Sequence, residues 1–256
     1  MSDIYNDNTY LENNPTIHIE DSEFKFNNIR KFLERIKIQD KKIKILDIGG
    51  GAGIIGKMVM EFFLRRGINV ILDCLDLSAG MLKIQKENNP KINKLLNCSL
   101  EDCREKDYDL ILMIDVIEHI PKKNLAAKIL NKMTKNIIYN IPIEINLFDL
   151  IRNISLLFRY YKNQTKVLGH VHFFSFLSVT SFLKKHHEVI EKKFIPYCFY
   201  IKDSQHQQYI DLRKSILRRI EIKISCWINK KIKNFSSYLI QGSCYTLVET
   251  KNTGKV

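Results

Sequence analysis

Hydrophobic residues along this chain follow two patterns in alternation: short continuous runs, and a spacing of three or four residues. Short apolar runs bounded by glycine or polar residues predict buried strands. They lie at residues 43–48, 70–75, 92–97, 109–114, 136–141, 186–196 and 242–250. Other stretches, such as 24–36 and 122–133, carry apolar residues at every third or fourth position and predict amphipathic helices. Strands that alternate with helices predict an α/β fold.

The stretch 43–56 reads IKILDIGGGAGIIG and joins the first strand to a helix. Glycine accepts positive φ and lets the main chain approach a ligand with no Cβ in between. Amides of the first helical turn point back over the loop, so the stretch predicts a nucleotide-sized pocket. Residues 51–56 also read GxGxxG, and Asp76 follows by about 20 residues, which fits the dinucleotide fingerprint. That match alone is weak and leaves the nucleotide open.

Three further stretches indicate which kind of nucleotide-binding protein the chain resembles. Residues 45–53 read ILDIGGGAG, residues 75–82 read LDLSAGML, and residues 108–118 read YDLILMIDVIE before His119 and Pro121. Together these stretches resemble successive motifs of class I S-adenosylmethionine-dependent methyltransferases, in particular the small-molecule members of type 11 and type 23. The resemblance implies a Rossmann-like seven-stranded, mostly parallel sheet with helices on both faces and an antiparallel final hairpin strand.

The resemblance also implies how S-adenosylmethionine would be held as cofactor. The glycines would admit the cofactor against the main chain, Asp47 would help to hold its amino group through the loop, and Asp76 would accept hydrogen bonds from both ribose hydroxyls. Asp115 would border the methionine end. Ser99 occupies the position where the family usually has Asp, which leaves the adenine contact open between Ser99 and the acids after it. The implied cofactor contacts are Asp47, Gly49, Gly51, Gly53, Asp76, Leu77, Ser99, Leu100 and Asp115.

Methyl transfer from a sulfonium is a direct displacement, so a hydroxyl or amine acceptor needs chiefly alignment and a base. The candidate bases are His119, His170 and His172, with Glu144 as an outsider. His170 and His172 flank one residue, so we expect one of them to face away. No metal site is predicted, since no carboxylate or cysteine accompanies the histidines at a usual ligand spacing and the six cysteines are scattered.

The chain of 256 residues carries a formal net charge of +13, and much of this charge falls in residues 205–235. Apolar residues recur there at every fourth position, so the stripe drifts around a straight helix. We expect either two helices broken near Ser225 or one helix wrapped on the sheet. Ordinary packing is the favoured interpretation of this stretch. Peripheral membrane or lipid-substrate contact is the alternative, and nucleic acid is the least favoured partner.

Domain organisation follows from the same patterns. Residues 1–23 predict a flexible lead-in and residues 24–256 a single methyltransferase domain. Within it, 43–142 would bind the cofactor, 143–175 would form a lid over the acceptor, and 205–235 would be a basic helical insertion before the last strand. Neither a signal peptide nor a membrane span is apparent, so the sequence predicts a cytoplasmic protein.

The function predicted from the sequence is methyl transfer to a hydroxyl, amine or carbon of a small-molecule, lipid or sugar-containing acceptor. Two alternatives stay open at this point: an NAD-dependent oxidoreductase, and a noncatalytic binding module on the same fold.

Overall fold

A computed structural model describes residues 19–251. Its centre is one seven-stranded sheet. The strands are β1 (Lys42–Ile48), β2 (Asn69–Asp76), β3 (Lys94–Asn97), β4 (Tyr108–Ile114), β5 (Thr134–Ile143), β6 (His187–Pro196) and β7 (Gly242–Thr250). All seven predicted strands are present in the structure, with shifts of one or two residues at most ends.

Helices connect the strands and cover both faces of the sheet. They are α1 (Ser22–Leu33), α2 (Ile54–Leu64), α3 (Ala79–Asn88), α4 (Lys123–Met133), α5 (Leu147–Ser155), α6 (Tyr160–Leu168), α7 (Phe176–His186), α8 (Cys198–Asp203), α9 (Gln207–Lys214), α10 (Ile216–Lys231) and α11 (Ser236–Leu239). Short 3-10 turns lie at Ile19–Asp21, Ile117–His119 and Lys233–Phe235. Residues 19–23 of the predicted lead-in are therefore helical, and residues 1–18 lie outside the described part.

The strand order is β3-β2-β1-β4-β5-β7-β6. Strands β1 to β5 pair in parallel, whereas β7 is antiparallel to both β5 and β6. This arrangement confirms the predicted fold class and the antiparallel final strand. Nicotinamide-binding Rossmann domains instead use the all-parallel order 3-2-1-4-5-6, so the sheet departs from that class at β7.

Two apolar cores lie on opposite faces of the sheet. One contains Ile43, Ile45 and Leu110 with α1 and α2, and the other contains Leu46 and Met113 with α4 and α7. Because the strands are buried on both faces, they read as continuous apolar runs in the sequence rather than as alternating ones. The two cores fix the sheet, and the sheet in turn fixes the edge at which β1, β2 and β4 end.

The sequence predicts that the fifth strand ends at residue 141, before Pro142, and this boundary is wrong. β5 continues through Pro142, which pairs with Ser243 of β7. The parallel neighbour β4 has already ended, at Ile114 opposite Asn140. Proline therefore sits where β5 has a partner on one side only, and its missing N–H costs the sheet no bond to β4.

The helix break predicted near Ser225 is also misplaced. The chain breaks at Ser215, which ends α9 and caps α10 by accepting from the Arg218 amide. Ser225 lies buried within α10. A serine at the N-cap accepts a hydrogen bond from a free amide of the first helical turn and so favours a helix start. A buried serine inside a helix does not interrupt that helix. Within residues 19–251, no helix combines the length and hydropathy needed to cross a bilayer.

Candidate functional site

Two connected cavities open at the carboxyl edge of the parallel strands, where open α/β sheets bind ligands. The smaller has a volume of about 130 Å³ and lies over β1 and β2. The larger, of about 340 Å³, extends from β1 and β4 toward residues 143–175, the segment that the sequence predicts to be a lid and that is called the lid segment below. Gly49, Gly51, Asp115 and His119 line both cavities, so these residues mark the junction between them.

The glycine loop forms the floor of this junction. Gly49 and Gly51 have φ of +60° and +56°, a region that residues with a side chain rarely adopt. A Cβ at Gly49 would also lie 3.0 Å from Val116 Cγ2. The loop therefore presents bare main chain to both cavities, as the sequence predicted for these two glycines.

Asp47 lies under the loop with its carboxylate fully enclosed. A Cβ at Gly50 would lie 2.5 Å from Asp47 Oδ2, and one at Gly56 would collide with the same oxygen, so both glycines leave room for the carboxylate. Oδ2 has no hydrogen-bond partner among the described residues. Burial, helped by the nearby charge of Asp76, raises the pKa of Asp47 to about 7. An orphaned acceptor beside the larger cavity suits a cationic group of a ligand.

Gly53 has a different role from the other loop glycines. It precedes α2 with φ of +76°, and a Cβ there would lie 3.1 Å from the Gln85 main chain. It is absent from the lining of both cavities. The structure therefore does not bring Gly53 to the predicted cofactor contact, because this glycine is needed for close packing of α2 against α3.

Asp76 ends β2 and lines the smaller cavity together with Leu77 and Leu100. Its Oδ1 accepts from the Ser78 amide at 2.9 Å, while burial raises the pKa of Asp76 to about 6. Ser99 lies outside the lining and donates from its hydroxyl to Asp102 at 2.6 Å. Glu101 lines the cavity instead, so the later acid, rather than Ser99, stands near the expected adenine end.

Asp115 follows β4 with φ of +55°, which is uncommon for a residue with a side chain. Asn140 of β5 donates to its carboxylate at 2.6 Å, and Lys25 of α1 lies 2.8 Å from both Asp115 and Asp21. Burial opposes the charge of Lys25, but the two carboxylates outweigh burial and raise its pKa. Sequence reasoning missed Lys25 as a site residue, because its partner Asp115 lies far later in the chain. The one local signal was the presence of a lysine on an otherwise apolar face of α1.

The lid side of the larger cavity holds a dyad of His170 and Glu144. Nδ1 of His170 lies 3.0 and 2.9 Å from the two carboxylate oxygens of Glu144, and both residues are buried. The His119 ring packs edge-on against that of His170, with centroids 4.8 Å apart. Two of the three candidate histidines therefore meet in the cavity, and the outsider Glu144 orients one of them.

Glu118 lies beside this dyad and is fully buried. Neither of its carboxylate oxygens has a hydrogen-bond partner within residues 19–251, although Oε1 lies 4.0 Å from His119 Nε2. Burial, with the charge of Asp115 next, raises the pKa of Glu118 well above its usual range. The ligand atoms of Glu118, His119 and His170 lie within 4.8 Å of one another, so these side chains could share a cation, a grouping that residue spacing did not predict.

His172 points away from both cavities, so it is not placed to act as a base. Lys123 Nζ lies 3.1 Å from its Nδ1, and the main-chain oxygens of Ile120 and Pro121 lie 3.1 Å from its Nε2. One of the two flanking histidines was expected to face away, and the structure identifies it as His172. Its ring ties the 169–175 loop to the start of α4.

A polar network anchors the lid segment to the rest of the chain. Asp149 of α5 is fully buried, and Arg152, Asn146 and Gln241 donate to its carboxylate. Arg152 also contacts Glu221 of α10. Burial raises the pKa of Asp149 to about 6 despite these partners. The network holds α5 and α6 in place, so that Tyr160 lines the larger cavity.

Sheet order and site geometry together define a class I methyltransferase fold with two adjoining cavities at the carboxyl edge of the sheet. Residues 46–136 match the family model described as a methyltransferase domain. Residues 46–136 are therefore similar to a methyltransferase domain, and the cleft would fit S-adenosylmethionine: it offers bare glycine main chain, an orphaned carboxylate for a cationic group, and Asp76 where the resemblance implies the ribose.

Curated relatives include ubiquinone biosynthesis O-methyltransferases. That of Rickettsia bellii is 32% identical over 103 residues, which is 39% of this chain and 41% of the relative. That of Rickettsia akari is 37% identical over 92 residues, or 35% of this chain and 34% of the relative. The chain thus matches well under half the length of either protein, and the matched parts say little about the acceptor side.

Solved structures share the fold over most of the chain. Phosphoethanolamine N-methyltransferase 2 of Haemonchus contortus, in complex with phosphomonomethylethanolamine and S-adenosylhomocysteine, aligns with a TM-score of 0.58 and 14% identity over 88% of this chain and 52% of that one. The [4+2]-cyclase SpnF aligns with a TM-score of 0.55 and 8% identity over 88% of this chain and 80% of that one. The fold by itself therefore does not determine the reaction.

Proposed function

We propose that this protein is an S-adenosylmethionine-dependent methyltransferase that methylates a hydroxyl, or alternatively an amine or carbon, of a small-molecule or lipid-linked acceptor. When bound, the cofactor supplies an electrophilic methyl group. Gly49, Gly51, Asp47, Asp76 and Asp115 would hold it. The names of the curated relatives, which are O-methyltransferases, favour oxygen as the acceptor atom.

The junction of the two cavities is the observation that carries this proposal. The cleft that contains Asp76 opens at Gly49 and Asp115 into a second chamber of about 340 Å³, and the dyad of His170 and Glu144 lies in that chamber. A methyl donor bound in the first cavity would present its reactive end to an acceptor in the second. Such alignment is the main requirement of a direct displacement.

His170 is the proposed general base. Glu144 accepts a hydrogen bond from Nδ1, which fixes the ring and leaves Nε2 as the nitrogen that can take a proton from an acceptor hydroxyl. His119 borders the same space and would help to position the acceptor. A positioned base typically contributes about 10²–10⁴-fold to the rate.

Charges in the larger cavity restrict the acceptor. Lys25 is the only lysine or arginine among the described lining residues, and it is already bound to Asp21 and Asp115. The remaining charged lining groups are acids, and Tyr160, Tyr197, Tyr200 and Tyr209 supply aromatic wall. A phosphate or carboxylate would find no available cation there. We therefore propose an uncharged or cationic acceptor with an aromatic or apolar body.

The test combines calorimetry with transfer of a labelled methyl group. Wild-type protein should bind S-adenosylhomocysteine and transfer label from S-adenosylmethionine to a fraction of cell extract. His170→Ala should reduce transfer by about 10²–10⁴-fold while leaving S-adenosylhomocysteine affinity unchanged. His172→Ala is the matched control, since its ring lies outside the cavities, and it should retain transfer.

Each alternative gives a different result. Binding of NAD without S-adenosylhomocysteine would indicate an oxidoreductase and contradict the proposal. Binding of S-adenosylhomocysteine with no labelled product would indicate a noncatalytic module. Transfer abolished by EDTA and restored by Mg²⁺ would assign Glu118, His119 and His170 to a cation rather than His170 to proton abstraction.

A further inference from the structure

Helix α5 is amphipathic in the reverse of the usual sense. Surface helices normally turn apolar residues inward and charges outward. In α5, Asp149 is fully buried and Arg152 largely so, because both belong to the polar network under the lid. The exposed residues are the apolar Leu147, Leu150, Ile151 and Ile154, together with Ser155 at the C-terminal end. The inner face is therefore polar and paired, and the outer face is apolar and faces solvent.

The turn after α5 extends this apolar face. Leu157 is 76% exposed and Phe158 is 66% exposed. Both have positive φ, at 51° and 62°, which bulky residues rarely adopt and which Asn tolerates far better. The network beneath α5 holds this turn in place, and two large apolar side chains stand at its tip although a polar residue would fit the backbone better.

Helix α10 presents a second apolar face. Ile216, Leu217, Ile220, Ile224 and Trp227 are all exposed, with Leu217 at 79% and Trp227 at 60%. At 3.6 residues per turn these positions fall within an arc of about 100°. Its other side packs through Ile222, Cys226 and Ile228 on the cluster that Phe148 of α5 also contacts.

Both helices rest on the same small core, and the contact of Arg152 of α5 with Glu221 of α10 links them. Exposed apolar residues grouped in this way, rather than scattered singly, mark an interaction site. We call it the apolar platform, which consists of Leu147, Leu150, Ile151, Ile154, Leu156, Leu157, Phe158, Ile216, Leu217, Ile220, Ile224 and Trp227.

Exposed cations lie on or next to the same helices as the platform and are called its basic rim. They are Arg159, Lys162, Lys166, Arg219, Lys223, Lys230 and Lys231. The same two segments, 147–168 and 216–231, contain only two acids. Asp149 is buried, and Glu221 is bound by Arg152 and Arg218, so neither offsets the positive rim. The rim therefore complements an anionic surface.

We infer that the apolar platform docks on an anionic lipid bilayer, with its aliphatic and aromatic side chains in the interfacial region and its basic rim against lipid headgroups. A second copy of the chain is disfavoured because two positive rims would repel each other. Nucleic acid is disfavoured because the centre is aliphatic, whereas nucleic-acid surfaces stack bases on aromatic rings. The inference does not require methyl transfer, although Tyr160 and Leu168 of the adjoining α6 line the larger cavity.

The test is co-sedimentation of the full chain with phosphatidylcholine vesicles, with or without phosphatidylglycerol. We expect the protein to pellet with phosphatidylglycerol vesicles at low salt, less at high salt, and little with phosphatidylcholine alone. The double variant Leu157→Asn with Phe158→Asn, whose new side chains tolerate the positive φ, should reduce vesicle affinity at least about tenfold. Arg219→Glu with Lys223→Glu should do the same.

Two matched variants serve as controls. Lys37→Glu with Lys132→Glu makes the same charge change away from the platform, and Leu64→Ser with Leu125→Ser removes exposed apolar side chains elsewhere. Neither should change pelleting, and all four variants should retain the wild-type unfolding temperature and S-adenosylhomocysteine affinity. Failure of wild type to pellet with phosphatidylglycerol vesicles, or equal losses in the controls, would overturn the inference. So would a dimer in sedimentation that only the Leu157 and Phe158 variant abolishes.

Discussion

The cofactor cleft and the lid bury carboxylates in opposite ways. Under the glycine loop, Asp47 carries an orphaned oxygen and its main charged neighbour is another acid, Asp76. Under α5, Asp149 is equally buried, but Arg152, Asn146 and Gln241 all donate to it. Burial is the largest cause of a raised pKa in both regions, to about 7 for Asp47 and about 6 for Asp149.

This contrast shows that a raised pKa alone does not mark a functional group. What distinguishes the regions is the set of partners. Within residues 19–251, Asp47 and Asp76 have no cation paired with them, unlike Asp115, so these two carboxylates are available to a ligand. The carboxylate of the lid has every partner within the chain, so its role is to hold helices together. Substitutions in the two regions should therefore affect different measurements.

The largest effect should come from Arg152→Met. Removing the guanidinium leaves Asp149 buried without its cation and separates α5 from Glu221, and breaking a buried pair in this way typically costs about 3–5 kcal/mol. Thermal or denaturant unfolding should show the loss of stability. Arg159→Met, an exposed arginine four residues after the α5 C-terminus, is the control and should stay within about 0.5 kcal/mol of wild type. A loss below about 1 kcal/mol for Arg152→Met would show that the network does not carry the lid.

Asp76→Asn should act on the cofactor and leave the fold intact. The carboxamide keeps the shape but loses the charge and one acceptor, so S-adenosylhomocysteine affinity should fall about ten- to hundredfold, equivalent to about 1.5–3 kcal/mol. Because the pKa of Asp76 is about 6 in the free protein, wild-type affinity should also weaken as pH falls below 6. The variant should weaken less over that range. Glu105→Gln, at the opposite edge of the sheet, should behave as wild type in calorimetry.

Asp47→Asn should give the smallest effect of the three. It should raise the free energy of unfolding, whereas the other two substitutions cause losses. The native state holds a proton on Asp47 up to about pH 7, whereas the unfolded state releases it near pH 4. The contribution of Asp47 to the free energy of unfolding is therefore full below pH 4 and is lost as pH rises through 7. Asn avoids this loss but brings its own unpaired amide, so the net gain at pH 8 should be on the order of 1 kcal/mol, or about 2–4 °C in a chain of this size.

Unfolding scans of the cofactor-free protein at pH 5 and pH 8 would check this prediction. The difference in melting temperature between Asp47→Asn and wild type should be larger at pH 8. An equal difference at both values would mean that Asp47 does not titrate between them.

Most of what the sequence predicted about the glycine loop and the strand ends came from short local stretches. A strand, a glycine loop and a helix follow one another within residues 43–56, and a strand, a short turn and a serine-capped helix follow one another within 70–82. Ser78 caps α3 by accepting from the Met81 amide, a role that serine favours at a helix N-terminus. The same reasoning did not show that Gly53 and Ser99 lie outside the lining of both cavities, where α3 packs against Gly53 and Ser99 donates to Asp102.

The arrangement of the larger cavity depends on contacts between residues that are far apart in the sequence. Glu144 and His170 are 26 positions apart and meet because β5 and the loop before α7 end at the same edge. Lys25 pairs with Asp115, which lies far later in the sequence. Neither residue by itself indicates that the other is its partner. The outward apolar faces of α5 and α10 were equally hidden, because helical spacing of apolar residues indicates a face without indicating what it faces.

By itself the sequence determined the order of strands and helices, the glycine loop and the acids at the strand ends, because period, caps and φ preferences act over a few residues. Tertiary structure alone decided which buried charges are paired, which histidine enters the cavity and which apolar faces stay in solvent. Those outcomes depend on which elements lie side by side once two cores have packed on the sheet, and residue spacing does not encode that proximity.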